Sequence, residues 1–168
     1  MTRRGIGVGG AVVLTLLASS SAWADEADVF FDDRVVHEIR VYFADPNWYQ
    51  VLYESHANDP NDPYFPARFE YGSIVLDPVG VRFKGSSSFN IPTVKKSFKF
   101  DFNEYYQATF FGLKKLNLNN SYNDPTMLRE KLFLDFAGKY GPTIRAVHTR
   151  LYVNDQYWGL YTAVEQVD

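Results

Sequence analysis

Gly85, Ser86, Ser87 and Ser88 sit between two strand-like segments, and the second segment carries Lys95, Lys96 and Lys99. A loop of small residues lets backbone N–H groups turn toward an anion, and lysines beside it supply positive charge. Strand, small-residue loop and lysine strand together suit a phosphate. The same residues also make an ordinary hairpin loop, and lysines along a strand discourage edge-to-edge pairing. Both readings stay open on these residues alone.

A third chemical group lies further along. From Asp124-Pro125 to about Lys139 the chain reads as its strongest helix, with Leu128, Leu132 and Phe136 in one apolar stripe at four-residue spacing. Stepping 100° per residue puts Glu130 between Phe133 and Leu134, opposite Leu128. A carboxylate placed there is at least partly enclosed and needs a cation or hydrogen-bond donors. Other chemistries are excluded. His37, His56 and His148 are isolated, without partners at metal-ligand spacing, so no metal is assigned to them. The run Asn58-Asp59-Pro60-Asn61-Asp62-Pro63 lacks the alternating acids and central glycine of a calcium loop, and reads as a solvated turn.

The elements that must hold these groups are mostly strands. Val35, His37, Ile39, Val41 and Phe43 alternate with Val36, Glu38, Arg40 and Tyr42 at the strand period. Asp45-Pro46 starts a short helix with Trp48, Val51 and Leu52 on its apolar side. Strands are predicted at Arg68–Tyr71, Ile74–Leu76, Val79–Lys84, Ser97–Phe102 and Leu113–Leu118. In Ser97–Phe102, three phenylalanines share one face, while Ser97, Lys99 and Asp101 share the other. Val147–Val153 and Tyr157–Glu165 form a hairpin about Asn154-Asp155-Gln156. Tyr152, Tyr157, Trp158 and Tyr161 on it serve either as core or as a sugar-stacking platform.

Composition and the N-terminus bound the compartment. Arg3-Arg4, the apolar run Ile6–Ala18 and Ala22-Trp23-Ala24 read as a signal peptide over residues 1–24, too short for a comfortable membrane span. The expectation is a secreted or extracytoplasmic protein with no membrane association after cleavage. The formal charge of −3 becomes more negative without Arg3 and Arg4, which argues against general nucleic-acid binding. Cysteine is absent, so stability must come from packing, for which 14 Phe, 12 Tyr and 3 Trp provide ample apolar area.

The order of elements matches that of a protein-kinase small lobe, although G-x-G-x-x-G and V-A-I-K are both absent. The expected fold class is α+β, a mostly antiparallel sheet with one main helix, resembling a kinase-like N-lobe. Four blocks carry a closer resemblance: Val81–Phe89, Lys95–Phe100, Leu128–Leu132 and Tyr152–Tyr161. In this order and spacing, from about Val35 to Asp168, the chain resembles the CotH family, named for a spore-coat protein. It departs where the family's loop usually has Asn in place of Ser86, and where the turn often has Asn-Gly in place of Asn154-Asp155.

That resemblance implies an atypical Ser/Thr protein kinase that phosphorylates coat or surface proteins with ATP and magnesium or manganese. It implies that Gly85 and Ser86 to Ser88 border the phosphates, that Lys96 or Lys99 contacts them, that Glu130 orients the lysine, and that Glu165 approaches the adenine. It also places the family's catalytic and metal-binding aspartates beyond Asp168. Residues 25–34 are then a leader and 35–168 a CotH-like domain cut before its large lobe, expected to be inactive alone. The competing expectation is a non-catalytic secreted module for coat assembly or for binding glycan or protein.

Overall fold

The computed structural model describes residues 25–166; residues 1–24, read above as a signal peptide, and residues 167–168 lie outside them. In chain order the elements are α1 (Ala27–Phe30), β1 (His37–Tyr42), α2 (Trp48–Asn58), β2 (Phe65–Tyr71), β3 (Ile74–Lys84), β4 (Ser97–Asp101), β5 (Lys115–Asn119), α3 (Arg129–Ala137), β6 (Ala146–Val153) and β7 (Gln156–Glu165). Each expected strand is present. Ile74–Leu76 and Val79–Lys84 are one strand, continuous through a cis Asp77–Pro78 bond.

The seven strands close into a barrel in the order β1-β2-β3-β4-β5-β7-β6. Six of the seven pairings are antiparallel; the closing pair, β1 with β6, is parallel and sets His37 opposite Thr149 and Val41 opposite Val153. This corrects the α+β expectation of a mostly antiparallel sheet with one main helix, resembling a kinase-like N-lobe: the sheet is a closed barrel. Alternation reports which face of a strand is buried, not which distant strand it pairs with, so closure leaves no local trace. Nor is there one main helix: α2 has 11 residues, α3 nine and α1 four.

The interior is an aromatic pack. Ile39 and Val41 from β1, Phe69 from β2, Val81 and Phe83 from β3, Phe98 and Phe100 from β4, Leu116 and Leu118 from β5, and Tyr161 and Ala163 from β7 all point inward. Phe69 meets Phe100, Phe102 and Phe110 edge-on at 5.1–5.6 Å between centroids, the arrangement ring quadrupoles favour. At one end α2 seats Trp48 and Leu52, with Trp48 stacked on Phe43 at 4.8 Å and edge-on to Trp158 at 5.2 Å. At the other end Phe30 of α1 packs on Phe110, Tyr71 and His37. Trp158 and Tyr161 are therefore packed into the barrel, whereas Tyr152 and Tyr157 pair with each other near its surface.

Helix α3 lies outside the barrel against β6 and is rotated relative to its expected setting. The stripe Leu128, Leu132 and Phe136 faces outward, with Leu132 60%, Phe133 67%, Phe136 58% and Tyr140 77% exposed. Lys131 is the buried residue instead; its ammonium binds Asp135 one turn on, at 2.5 Å, and Asp33 at 3.1 Å. The helix also starts later than Asp124-Pro125. Met127 takes a left-handed φ of +57°, and the Asp124 carboxylate accepts hydrogen bonds from Thr126 and from the Arg129 N–H, satisfying one donor of the first turn.

Candidate functional site

On the outer wall of the barrel, where β3 and β5 end and β4 begins, a cleft of about 420 Å³ opens between the Gly-Ser loop and the start of α3. Its lining includes Lys84, Gly85, Ser88, Ser97, Asn119 and Glu130. The pleat accounts for the first of these. Val81 and Phe83 occupy the barrel side of β3, so Arg82 and Lys84 emerge on the other face. In the same way Leu116 and Leu118 send Asn117 and Asn119 outward from β5. Lys84 is paired with Ser97, and the Asn120 N–H donates to Ser97 Oγ at 3.0 Å, so three strand ends meet here.

Three polar side chains run across this floor. Lys84 Nζ donates to Asn119 Oδ1 at 3.1 Å, and Asn119 Nδ2 donates to Glu130 Oε1 at 2.7 Å. The amide orientation follows from its neighbours: an ammonium only donates and a carboxylate only accepts. Burial pushes the Glu130 carboxyl above its usual range, while the Asn119 hydrogen bond and the Lys84 charge pull it back. Burial also pushes the Lys84 ammonium down; Glu130 opposes that, and Lys99 and Arg82 add to it. The cleft thus presents a half-buried cation beside a Gly-Ser loop, with a carboxylate one side chain away.

The loop itself is braced from both sides. Gly85 has φ of +93°, and a Cβ there would lie 2.2 Å from Ser88 Oγ, so only glycine lets that hydroxyl approach. Asn120 Nδ2 donates to the carbonyls of Lys95 at 2.8 Å and Ser88 at 3.4 Å, tying the loop's two arms together. Across from it, His56 Nε2 lies 2.9 Å from the Gly85 carbonyl, and its Nδ1 lies 2.9 Å from Asp62 Oδ1. Asp62 in turn pairs with Arg82. Asp62 of the turn thus supports the loop through the His56 imidazole.

The residues named from the sequence divide into two groups. Gly85, Ser88 and Glu130 line the cleft. Ser86 and Ser87 are exposed on the loop outside that lining. Lys96 is 3% exposed, and its ammonium is occupied by the carbonyls of Phe89 at 2.5 Å and Ile91 at 2.8 Å, over the Phe89 and Tyr53 rings. It secures the loop from within rather than facing the cleft. Lys95 rests over the Tyr161 ring at 4.8 Å. Lys99 stands on the outer barrel wall between Arg82 and Asn117. Glu165 accepts from the Arg145 guanidinium at 2.6 and 2.9 Å and from the Arg145 N–H at 3.1 Å, away from the cleft lining.

The cleft lysine is Lys84, which was not among the lysines singled out from the sequence. A continuous β3 alternation from Val79 through Phe83 would have placed it outward. Asn119 had no such signal, because an asparagine ending a strand looks like any other polar stop. Among the described residues, no group of three His, Cys, Asp or Glu is arranged to hold a metal ion.

Comparisons with known proteins fall on this region. The family model described as CotH kinase protein matches residues 81–168, a stretch that contains every residue lining the cleft. The chain is also similar to inner spore coat protein H of Bacillus subtilis (strain 168), with 31% identity over 109 residues. Those residues are 64% of this chain but 29% of that protein's length.

Proposed function

This chain belongs to the CotH family, and we propose that its outer-wall cleft is the nucleotide-phosphate site of a CotH-type Ser/Thr protein kinase acting outside the cytoplasm on coat or surface proteins. The observation that carries this reading is the meeting of Lys84, the Gly85–Ser88 loop and Glu130 in one cleft of a size suited to a small ligand. Lys84 would donate to the phosphates of ATP, the loop would border them, and Glu130 would steady the lysine through Asn119. Magnesium or manganese would enter with the phosphates, since the described residues supply no ligand cluster of their own. For the same reason the described residues are expected to bind nucleotide without transferring phosphate.

An extracytoplasmic, coat-associated location is supported by the likeness to a spore coat protein and by the apolar run near the N-terminus. Among the described residues no helix is long and apolar enough to cross a membrane.

Thermal unfolding with ATP and magnesium tests the proposal. ATP should raise the midpoint of the wild-type chain, and Lys84→Met should abolish that increment. Lys96→Met should lower the midpoint in both conditions yet keep the increment. No response to ATP in the wild type, or a response that survives Lys84→Met, overturns the assignment. One observation favours a second reading, a non-catalytic coat-assembly module: the exposed apolar side chains along α3 offer a surface for a protein partner. Coat-protein binding that is unaffected by ATP, and lost when Phe133 and Phe136 are made polar, would favour it.

A further inference from the structure

Resting on the phosphate-site reading above, we infer that Asn119 is the positioning residue of the cleft: its amide sets the place of the Lys84 ammonium while keeping it out of direct contact with Glu130. In a direct ion pair the carboxylate would take the cation's donors and screen its charge from an incoming anion. The amide does neither. It accepts one Lys84 hydrogen at 3.1 Å, leaving two for phosphate, and hands its own N–H to Glu130 at 2.7 Å. Polarity runs one way along this chain, from ammonium through amide to carboxylate, so each bond strengthens the next.

The placement of Asn119 is itself over-determined. It is the last residue of β5, opposite Thr162 of β7, and Asn120 immediately after it is anchored by its own N–H and side chain. Its Cβ therefore has little freedom, and Lys84, the last residue of β3, is equally fixed by pairing with Ser97. Glu130 is brought to the other side by the first turn of α3. Three independent elements thus converge on one amide, which bonds the lysine on one side and the glutamate on the other.

The test uses the full chain and two kinds of readout. Asn119→Leu, similar in size but without polar atoms, should raise the Kd for ATP about tenfold, the scale of one lost charge-assisted hydrogen bond. Asn119→Asp should weaken binding as well, by facing a new carboxylate toward Glu130. Adding Glu130→Gln to Asn119→Asp removes that repulsion but sets a carboxylate directly on the Lys84 ammonium, so the thermal midpoint should return to wild type while the Kd for ATP stays at least about threefold higher. That separation of stability from affinity is not expected of a residue that serves only to support the fold. Where Asn119→Leu does not fold, the Asp/Gln pair decides alone. In the nucleotide-free protein, the titration of the Lys84 amine, followed by NMR of its Nζ-attached carbon, should fall in Asn119→Leu and rise in the double variant. ATP affinity unchanged in Asn119→Leu, or a double variant that binds ATP as wild type does, overturns the role of Asn119. An amine titration that responds to Asn119 in a chain that binds no ATP would instead keep the positioning role and remove the nucleotide reading.

Discussion

The barrel interior and the flank that carries the cleft follow opposite rules. Inside, Phe69, Phe83, Phe98, Phe100, Phe102 and Tyr161 are fully buried, and their position follows from strand alternation alone. On the flank, α3 turns large apolar side chains outward and draws Lys131 and Glu130 toward the barrel. The first region is stabilised by apolar area and ring packing, which are non-directional and tolerate little empty space. The second is organised by hydrogen bonds that each need a partner at a set distance. The candidate site lies on the second, where Lys84 and Glu130 are half-buried: enclosed enough to be held, yet open to the cleft.

The contrast can be broken most severely from the inside. Phe100→Ala, at a residue with no exposure and ring neighbours in Phe69, Phe98 and Phe102, should cost about 3–5 kcal/mol in urea unfolding. A loss below about 1 kcal/mol would mean the barrel is not packed as described. Next in size is Lys96→Met, which keeps the apolar stem but leaves the Phe89 and Ile91 carbonyls without their donor. A loss of about 1–3 kcal/mol is expected by the same unfolding measurement. An unchanged midpoint would show that the Lys96 ammonium is not committed to the loop.

A smaller effect should appear in the pH dependence, with opposite signs at two glutamates. Burial holds folded Glu130 above its unfolded value, so its contribution is present below the ordinary carboxylate range and is lost as pH rises through the raised value. The hydrogen bond from Arg145 holds folded Glu165 below its unfolded value, so its contribution is present above the ordinary range and is lost as pH falls through the depressed value. Glu130→Gln should flatten the decline on the rising side, and Glu165→Gln the decline on the falling side. Stability profiles between acid and neutral pH would check both, and the same limb changing in both variants would contradict the assignment. Smallest should be Leu132→Gln on the outer face of α3, within about 0.5 kcal/mol of wild type. A loss of several times that would show the face is covered in solution, and a dependence on protein concentration would show that another copy covers it.

The cleft was legible in the sequence only in part. Gly85, Ser88 and Glu130 were recognisable because small residues in a turn and an acid between apolar helix positions are local patterns. Lys96 and Lys99 were as visible as Lys84; strand alternation puts Lys84 and Lys99 on the outer face, but it does not say which lysine stands beside the loop. The separation was made by the Phe89 and Ile91 carbonyls, which receive the Lys96 ammonium only once the loop has folded back. Asn119 and His56 carried no local signal, since each acts through a residue brought to it from another element.

The sequence by itself determined the strands, the inward phenylalanines, the glycine-bearing loop and the family, because each depends on residues close together or in a fixed order. Only the tertiary structure decided that the sheet closes through a parallel β1–β6 pair, that α3 presents its apolar stripe to solvent, and that Lys84 meets Glu130 across an amide. Those outcomes rest on contacts between segments far apart in the chain. Period and composition fix which face of an element is apolar, whereas the partner of that face is chosen by the whole packing arrangement.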